Sequence, residues 1–169
     1  TLPKRPGVGA FTATATPQVR EDIARSLELQ DPFTLVTGFD RPNLFFQVDV
    51  PKSKKEALLR FLKNRREESG VIYCATRKTV EEICTFLQER GFSAGRYHAG
   101  LESEERQKNQ EDFSYGRVRL MVATNAFGMG IDKSDVRFVV HYNMPKDVES
   151  YYQEAGRAGR DGEEAYCLL

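Results

Sequence analysis

Stretches with the apolar spacing of a helix alternate along this chain with short, nearly continuous apolar runs. The clearest helix carries Val80, Ile83, Cys84 and Leu87 at the spacing of one helix face, and Gly91 follows where it should end. Further helices are predicted from 17, 53, 103 and 147, and strands at about 34–38, 44–50, 71–74, 93–97, 118–123, 137–142 and 165–169. This alternation predicts an α/β fold with a mostly parallel central sheet covered by helices on both faces.

Length and composition limit what any motif can mean. The 169 residues suffice for one domain with a buried core, and the apolar runs are too short to span a membrane. The 25 basic and 25 acidic side chains cancel, so bulk charge does not indicate a nucleic-acid partner and local placement must carry that argument. The three scattered cysteines, Cys74, Cys84 and Cys167, lack a C-x-x-C pair, so we expect reduced core thiols rather than disulfides or a zinc site.

Three predicted strands end in small residues mixed with hydroxyl or basic groups, at 74–77, 97–100 and 123–125. The carboxyl ends of parallel strands are where open sheets bind ligands. Small residues let a sugar-phosphate chain approach closely, and threonine hydroxyls and amides can donate to phosphate without selecting a base. The set therefore favours sequence-independent binding of a nucleic-acid backbone, although each residue taken singly is also an ordinary turn or cap residue.

The strongest local signal is the run from Gln153 to Arg160. If the helix from 147 continues through it, Gln153, Arg157 and Arg160 share one face. The residues expected to pack on the opposite face are Val148, Tyr151, Ala155 and Ala158. Alternatively, Gly156 and Gly159 end the helix and place both arginines on a tight turn. Either arrangement brings together two permanent cations suited to phosphate, unless they merely form a solvated basic helix end.

Several segments together resemble the second motor lobe of superfamily 2 helicases, and within them the RecQ family. The superfamily resemblance rests on segments 122–132, 136–141 and 151–162. The narrower resemblance rests on 38–43, 73–77, 97–101 and 127–130. The resemblance covers essentially the whole chain. It implies a RecA-like three-layer αβα sandwich and an ATP-dependent DNA helicase moving 3′ to 5′.

The resemblance also implies roles at the nucleotide. Arg157 and Arg160 would be arginine fingers that reach the terminal phosphates of ATP, and Gln153 would orient the fingers or the attacking water. Asp132 would touch the ribose or couple the nucleotide cleft to DNA, and Gly130 is assigned to the same cofactor site.

The strand-end loops are implied to follow single-stranded DNA. The residues placed along the strand are Thr76, Arg77, His98, Gly100 and Thr124. His98 has an equally weighted alternative as a structural histidine with its ring nitrogens satisfied inside the protein. The partners expected are single-stranded and partly duplex DNA and a first RecA-like lobe, without a membrane.

The sequence contains no G-x-x-x-x-G-K-[ST] phosphate loop. We therefore expect ATP and magnesium to be held mainly by a first lobe, no metal to be bound by this chain, and the chain alone to be inactive. Residues 1–16 are expected to be the end of that first lobe and 17–169 the second lobe. A location in the bacterial cytoplasm at the nucleoid, or in the eukaryotic nucleus, would follow.

Two other classes remain open at this stage. The first is another superfamily 2 motor lobe, from an RNA helicase or a chromatin remodeller, which segment 39–43 makes less favoured. The second is a non-enzymatic α/β interaction module in which Arg157 and Arg160 dock an acidic protein.

Overall fold

Two units make up the chain, Thr1–Asp40 and Arg41–Leu169. The computed structural model describes residues 5–12, 15–36, 40–128, 131 and 133–169. In the first unit, Thr16 caps helix α1 (Pro17–Ser26) by accepting a hydrogen bond from the Val19 amide, and no residue of α1 is buried. The strand predicted at 34–38 is wrong for its described part, since 34–36 are irregular and Leu35 is largely exposed. An apolar run without a neighbouring strand cannot satisfy its backbone as a strand.

The second unit is an alternation of strands and helices, close to the predicted one. Its elements are β1 (Leu44–Gln47), α2 (Lys54–Leu62), β2 (Ser69–Tyr73), α3 (Arg77–Gln88), β3 (Ala94–Tyr97), α4 (Ser103–Ser114), β4 (Leu120–Ala123), β5 (Val136–His141), α5 (Val148–Ala155) and β6 (Ala165–Leu168). The six strands form one sheet in the order β1-β6-β5-β2-β4-β3, and every neighbouring pair is parallel. The parallel sheet predicted from the sequence is confirmed.

Successive strand residues point to opposite faces of the sheet, and helices cover both faces. In β2, Ile72 packs with the apolar faces of α2 and α3, whereas Val71 packs on the other side with residues of α4 and α5. Burial of β2 is complete along its length. The fold is therefore three layers, with two helices on each face of the sheet.

Glycine at one strand position makes this packing possible. A Cβ on Gly70 would lie 2.0 Å from the ring of Phe138 on the neighbouring strand β5. That ring is fully buried and meets Phe61 of α2 edge-on at 5.3 Å. Gly70 is needed here for space rather than for an unusual backbone conformation.

The cysteines are core thiols, as the sequence predicts. All three cysteines are free and buried. Burial raises the pKa of Cys74 and Cys167 to about 12 and that of Cys84 to about 11, so these thiols stay protonated and unreactive. None of the described helices combines the length and the apolar character that crossing a membrane requires.

Candidate functional site

The two candidate arginines lie on a turn rather than on a helix face. Asp147 is the N-cap of helix α5, and its carboxylate accepts from the Ser150 amide at 2.7 Å. The helix ends at Ala155. We call residues 156–161 the arginine turn. Within it Gly159 has a φ of 57° and donates its amide to the Val136 carbonyl at 2.8 Å. The second of the two sequence alternatives is therefore correct, and the turn lies beside the start of β5.

Each arginine of the turn is held by one described backbone carbonyl. Arg157 Nη1 donates to the Gly128 carbonyl at 2.6 Å, and Arg160 Nη1 donates to the Ile131 carbonyl at 2.9 Å. Arg157 is half-buried and Arg160 is exposed. Within the described parts of the chain, neither guanidinium pairs with a carboxylate. A guanidinium has five N–H donors, and among the described residues Arg160 uses one of them on the Ile131 carbonyl.

Gly128 leaves room for the Arg157 guanidinium. A Cβ on Gly128 would lie 2.1 Å from Arg157 Nη2. Any larger residue would therefore displace the guanidinium from its seat, even though the side chain itself is flexible. Next to Gly128, the Tyr73 hydroxyl donates to the Phe127 carbonyl at 2.9 Å. Burial raises the pKa of Tyr73 against the opposing effect of Arg157, so the phenol remains a neutral donor.

Helix α5 is anchored beneath the turn by a pair that the sequence did not reveal. His141 Nε2 and Glu154 Oε2 lie 2.8 Å apart, and the His141 side chain is 1% exposed. The imidazole lies between the rings of Tyr73 and Tyr151, with centroids 5.5 and 4.9 Å away. The two partners are 13 residues apart on different elements, so no local spacing could have indicated them.

The predicted packing face of α5 is mostly correct. Ala155 and Ala158 are fully buried and Tyr151 is half-buried, but Val148 is 82% exposed. The prediction that Val148 packs is wrong, because Val148 is the first residue of α5 and precedes the part of the helix that packs on the sheet. Gln153 is exposed on α5, and its side-chain amide donates to Glu149 at 3.3 Å.

The three strand-end loops lie side by side, as expected. We use this name for residues 74–77, 98–100 and 124–125, which follow the adjacent strands β2, β3 and β4. The Thr124 amide donates to the Tyr97 carbonyl at 3.1 Å, which joins two of the loops. A Cβ on Gly100 would lie 3.0 Å from Arg77 Nη1, so the Arg77 side chain lies against the loop after β3.

Some donors and acceptors of these loops are already used within the protein. The Thr76 hydroxyl caps α3 by accepting from the Thr79 amide at 3.1 Å. The Gly100 amide donates to His98 Nδ1 at 3.1 Å, and His98 Nε2 lies 2.7 Å from Glu81 Oε1. With 4% exposure, His98 has the position that the structural alternative describes, and a contact between its ring and DNA remains a prediction.

Behind the loops, the carboxylates of Glu81 and Glu105 hold basic side chains in place. Glu81 contacts both His98 and Arg96, and Arg96 also donates to Glu105 at 2.9 Å. Burial would raise the pKa of Glu81, but the hydrogen bonds from His98 and Arg96 outweigh it and hold that pKa below its ordinary value. Glu81 is therefore a carboxylate that fixes two basic side chains at neutral pH.

Asp132 and Gly130, assigned to the cofactor, lie outside the described residues. Among the residues that are described, no group of three or more His, Cys, Asp or Glu side chains could hold a metal ion.

Comparison with known proteins identifies the family. Residues 53–162 match the family described as helicase conserved C-terminal domain. The chain is 49% identical over 168 residues to the ATP-dependent DNA helicase RecQ of Bacillus subtilis, a match that covers 99% of the chain and 28% of that protein. It is 45% identical over 168 residues to a putative ATP-dependent RNA helicase of Acanthamoeba polyphaga mimivirus, covering 98% of the chain and 30% of that protein.

A solved structure gives the same result for the fold. The chain resembles Saccharomyces cerevisiae Dbp5, solved bound to RNA and ADP BeF3, with a TM-score of 0.73 and 25% identity over 94% of the chain and 43% of Dbp5. The predicted RecA-like αβα fold is confirmed. The chain thus belongs to the helicase conserved C-terminal domain family, as the C-terminal lobe of a RecQ-family superfamily 2 helicase.

Proposed function

We propose that this chain is the second motor lobe of an ATP-dependent DNA helicase that moves 3′ to 5′. In this proposal Arg157 and Arg160 are arginine fingers that act on ATP bound mainly by a first lobe. The observation that supports it is the arginine turn, where the described partners of both guanidiniums are backbone carbonyls and not carboxylates.

The arginine turn fits the terminal phosphates of a nucleotide. A carbonyl orients a guanidinium and leaves its positive charge in place. A carboxylate would orient the guanidinium and also offset its charge. The planar fork of arginine matches phosphate oxygens, and the charge persists at any physiological pH. ATP hydrolysis would supply the free energy for movement, and Arg157 and Arg160 would stabilise the charge that develops on the transferred phosphoryl group. Magnesium is assigned to the first lobe.

The strand-end loops fit the backbone of a nucleic acid. They lie together at the carboxyl edge of the sheet and combine exposed Arg77 with the small or hydroxyl residues Gly100 and Thr124. Contacts of this kind position a strand without reading its bases. We assign Thr76 and His98 to the same surface, where each also has an internal hydrogen bond.

One segment connects the two surfaces. It begins at Thr124 in a strand-end loop, and its carbonyls at Gly128 and Ile131 accept from the two arginines. A shift of this segment on strand binding would move the seats of both guanidiniums. In the proposed cycle, closure of the cleft between the lobes brings the arginines to ATP, and reopening releases them, which steps the lobes along the strand.

The second candidate is an RNA helicase lobe, because one relative bears that description and Dbp5 was solved with RNA. DNA is favoured by the identity to the Bacillus subtilis DNA helicase over 99% of the chain. Unwinding of matched DNA and RNA duplexes by the full-length protein distinguishes them. DNA unwinding is expected, and activity on the RNA duplex alone would contradict the proposal.

Arg160→Ala in the full-length protein tests the finger assignment. Loss of a finger should lower kcat for ATP hydrolysis by roughly 10³ to 10⁵, since the finger stabilises the transition state. Binding of single-stranded DNA without nucleotide should stay within about twofold of wild type, because Arg160 is not in the DNA surface. The measurements are steady-state ATPase and fluorescence anisotropy of labelled DNA.

Arg65→Ala is the matched control. Arg65 also donates to a carbonyl, that of Phe61 at 3.4 Å, but it is half-buried, lies 3.6 Å from a Glu68 oxygen and belongs to neither surface. It should leave kcat close to wild type. Near-normal ATPase in Arg160→Ala would refute the assignment.

A further inference from the structure

The backbone of the arginine turn is held by two side chains from the start of the second unit. Arg41 Nη2 donates to the carbonyls of Ala158 at 3.0 Å and Gly159 at 2.8 Å, and its Nη1 lies 3.5 Å from the Gly156 carbonyl. Asn43 Nδ2 donates to the carbonyls of Gly159 at 2.9 Å and Glu163 at 2.8 Å. The Arg41 Nε also donates to Asn43 Oδ1 at 3.3 Å, so the two side chains brace each other.

The pattern of acceptors is specific to the turn. The carbonyls that Arg41 reaches lie beyond Ala155, the last residue of α5, and therefore belong to the turn and not to the helix. Here one half-buried guanidinium collects the carbonyls on both sides of Arg157 and the carbonyl just before Arg160. The backbone that carries both candidate fingers is therefore fixed at the peptides adjoining them.

Charge indicates that the arrangement serves more than stability. Arg41, Arg157 and Arg160 converge on one turn, and in the described residues none of the three pairs with a carboxylate. The nearby Asp161 does not neutralise them, since both its oxygens accept from Arg137. Three like charges on one turn repel each other, and a polyanionic ligand would relieve that repulsion.

We infer that Arg41 and Asn43 are positioning residues for the arginine fingers. They hold the turn so that the guanidiniums of Arg157 and Arg160 are presented at a fixed place, and they do not themselves touch the nucleotide. The inference rests on the proposed function. A finger displaced by about 1 Å can cost about 100-fold in rate, so loss of the brace should lower turnover without abolishing nucleotide binding.

The test compares Arg41→Gln and Asn43→Ala with Arg65→Gln in the full-length protein. We expect Arg41→Gln to lower kcat for DNA-stimulated ATP hydrolysis by about 10- to 100-fold and to change KM for ATP by less than about threefold. Asn43→Ala should show a smaller loss in the same direction. Arg65→Gln, which removes a half-buried arginine that donates to the Phe61 carbonyl and not to the turn, should leave both constants near wild type.

A second readout is independent of activity. Amide hydrogen exchange should rise in residues 156–163 of Arg41→Gln and remain unchanged in α2 and α3, because the lost hydrogen bonds are confined to the turn. Unchanged exchange in 156–163, or an unchanged kcat, would overturn the inference. A fall in kcat accompanied by exchange rising throughout the second unit would also overturn it, since Arg41 would then act on general stability.

Arg160→Ala separates this inference from the proposed function. If Arg160→Ala abolishes turnover and Arg41→Gln does not lower it, the positioning role fails while the fingers stand. If Arg160→Ala leaves turnover normal, the finger assignment fails, and with it the reason for a brace.

Discussion

The arginine turn and the strand-end loops differ in how their charges are balanced. Behind the loops, Glu81 and Glu105 both contact Arg96, and Glu81 also lies 2.7 Å from His98 Nε2. In the turn, the described partners of Arg157 and Arg160 are backbone carbonyls, which do not offset the charge of a guanidinium. In the proposed function, this difference would suit the loops to holding a strand that must be released, and the turn to stabilising charge that develops on a phosphoryl group.

The two regions also differ in what fixes their backbone. The strand-end loops follow directly from adjacent strands, and α3 starts there with its own cap from Thr76. The turn depends on Arg41 and Asn43, which lie more than a hundred residues earlier in the chain. Changes in the loops should have local effects on binding, whereas changes at the turn should affect turnover from a distance.

Gly159→Ala should have the largest effect on folding. An added Cβ would lie 2.5 Å from Asn43 Nδ2 and 2.7 Å from the Glu163 carbonyl, at a φ of 57° that disfavours any side chain. We expect a loss of about 2 to 3 kcal/mol in the free energy of unfolding, measured by urea denaturation.

Gly162→Ala is the control for Gly159→Ala. Gly162 also has a positive φ, of 88°, but a Cβ there meets nothing within 4 Å. Only the backbone penalty of about 1 kcal/mol should remain. Equal losses at the two positions would show that contacts with Asn43 and Glu163 do not restrain the turn.

Thr76 distinguishes capping from strand contact. Thr76→Ala should destabilise the chain by about 1 kcal/mol, because α3 loses its N-cap. Thr76→Asp keeps the cap and should fold normally, yet in the full-length protein its carboxylate should weaken binding of single-stranded DNA. The readouts are urea denaturation and DNA anisotropy.

Ser53→Asp provides the matched control for Thr76→Asp. It changes the cap of α2, which follows β1 rather than β2, β3 or β4. It should leave DNA binding unchanged. If Thr76→Asp bound DNA as tightly as wild type, the loop after β2 would not lie against the strand.

Glu81 should give the smallest effect, visible as pH dependence. Its pKa in the folded chain lies below the ordinary value of 4.5, so its contribution to stability is present above that pH and is lost as the pH falls through the folded pKa. Glu81→Gln should lower stability at pH 7 and flatten the decline in stability below pH 4.5. Parallel declines in both proteins, followed by thermal unfolding from pH 6 to about pH 3, would contradict this role for Glu81.

Much of the fold follows from local pattern. The stripe at Val80, Ile83, Cys84 and Leu87 lies fully in the core on α3, and the three strand-end loops are neighbours because parallel strands align their ends. Ala155 and Ala158 are buried as their spacing predicts. Each of these conclusions needs only residues within a few positions of one another and the geometry of helices and sheets.

The contacts that fix the candidate site were beyond that pattern. The His98 interaction with Glu81 and the brace from Arg41 join residues 17 and more than a hundred positions apart, and no periodicity encodes such pairs. The apolar residues near Leu35 have strand composition, but 34–36 have no strand partner. The sequence left open a helix that continues to Arg160, but α5 ends at Ala155, and Gly159 at positive φ lies in the turn that follows.

The position of β6 between β5 and β1 has a consequence for the order of assembly. In a polypeptide synthesised from its amino terminus, β1 emerges among the first elements of this unit, yet its only partner strand among those described is β6, which emerges last. The segment from Arg41 to Gln47 must therefore wait for the sheet to close. Its long sequence separation from β6 makes this step slow relative to local pairing. The geometry of the arginine turn, which Arg41 and Asn43 help to fix, would thus mature only after β6 has joined the sheet.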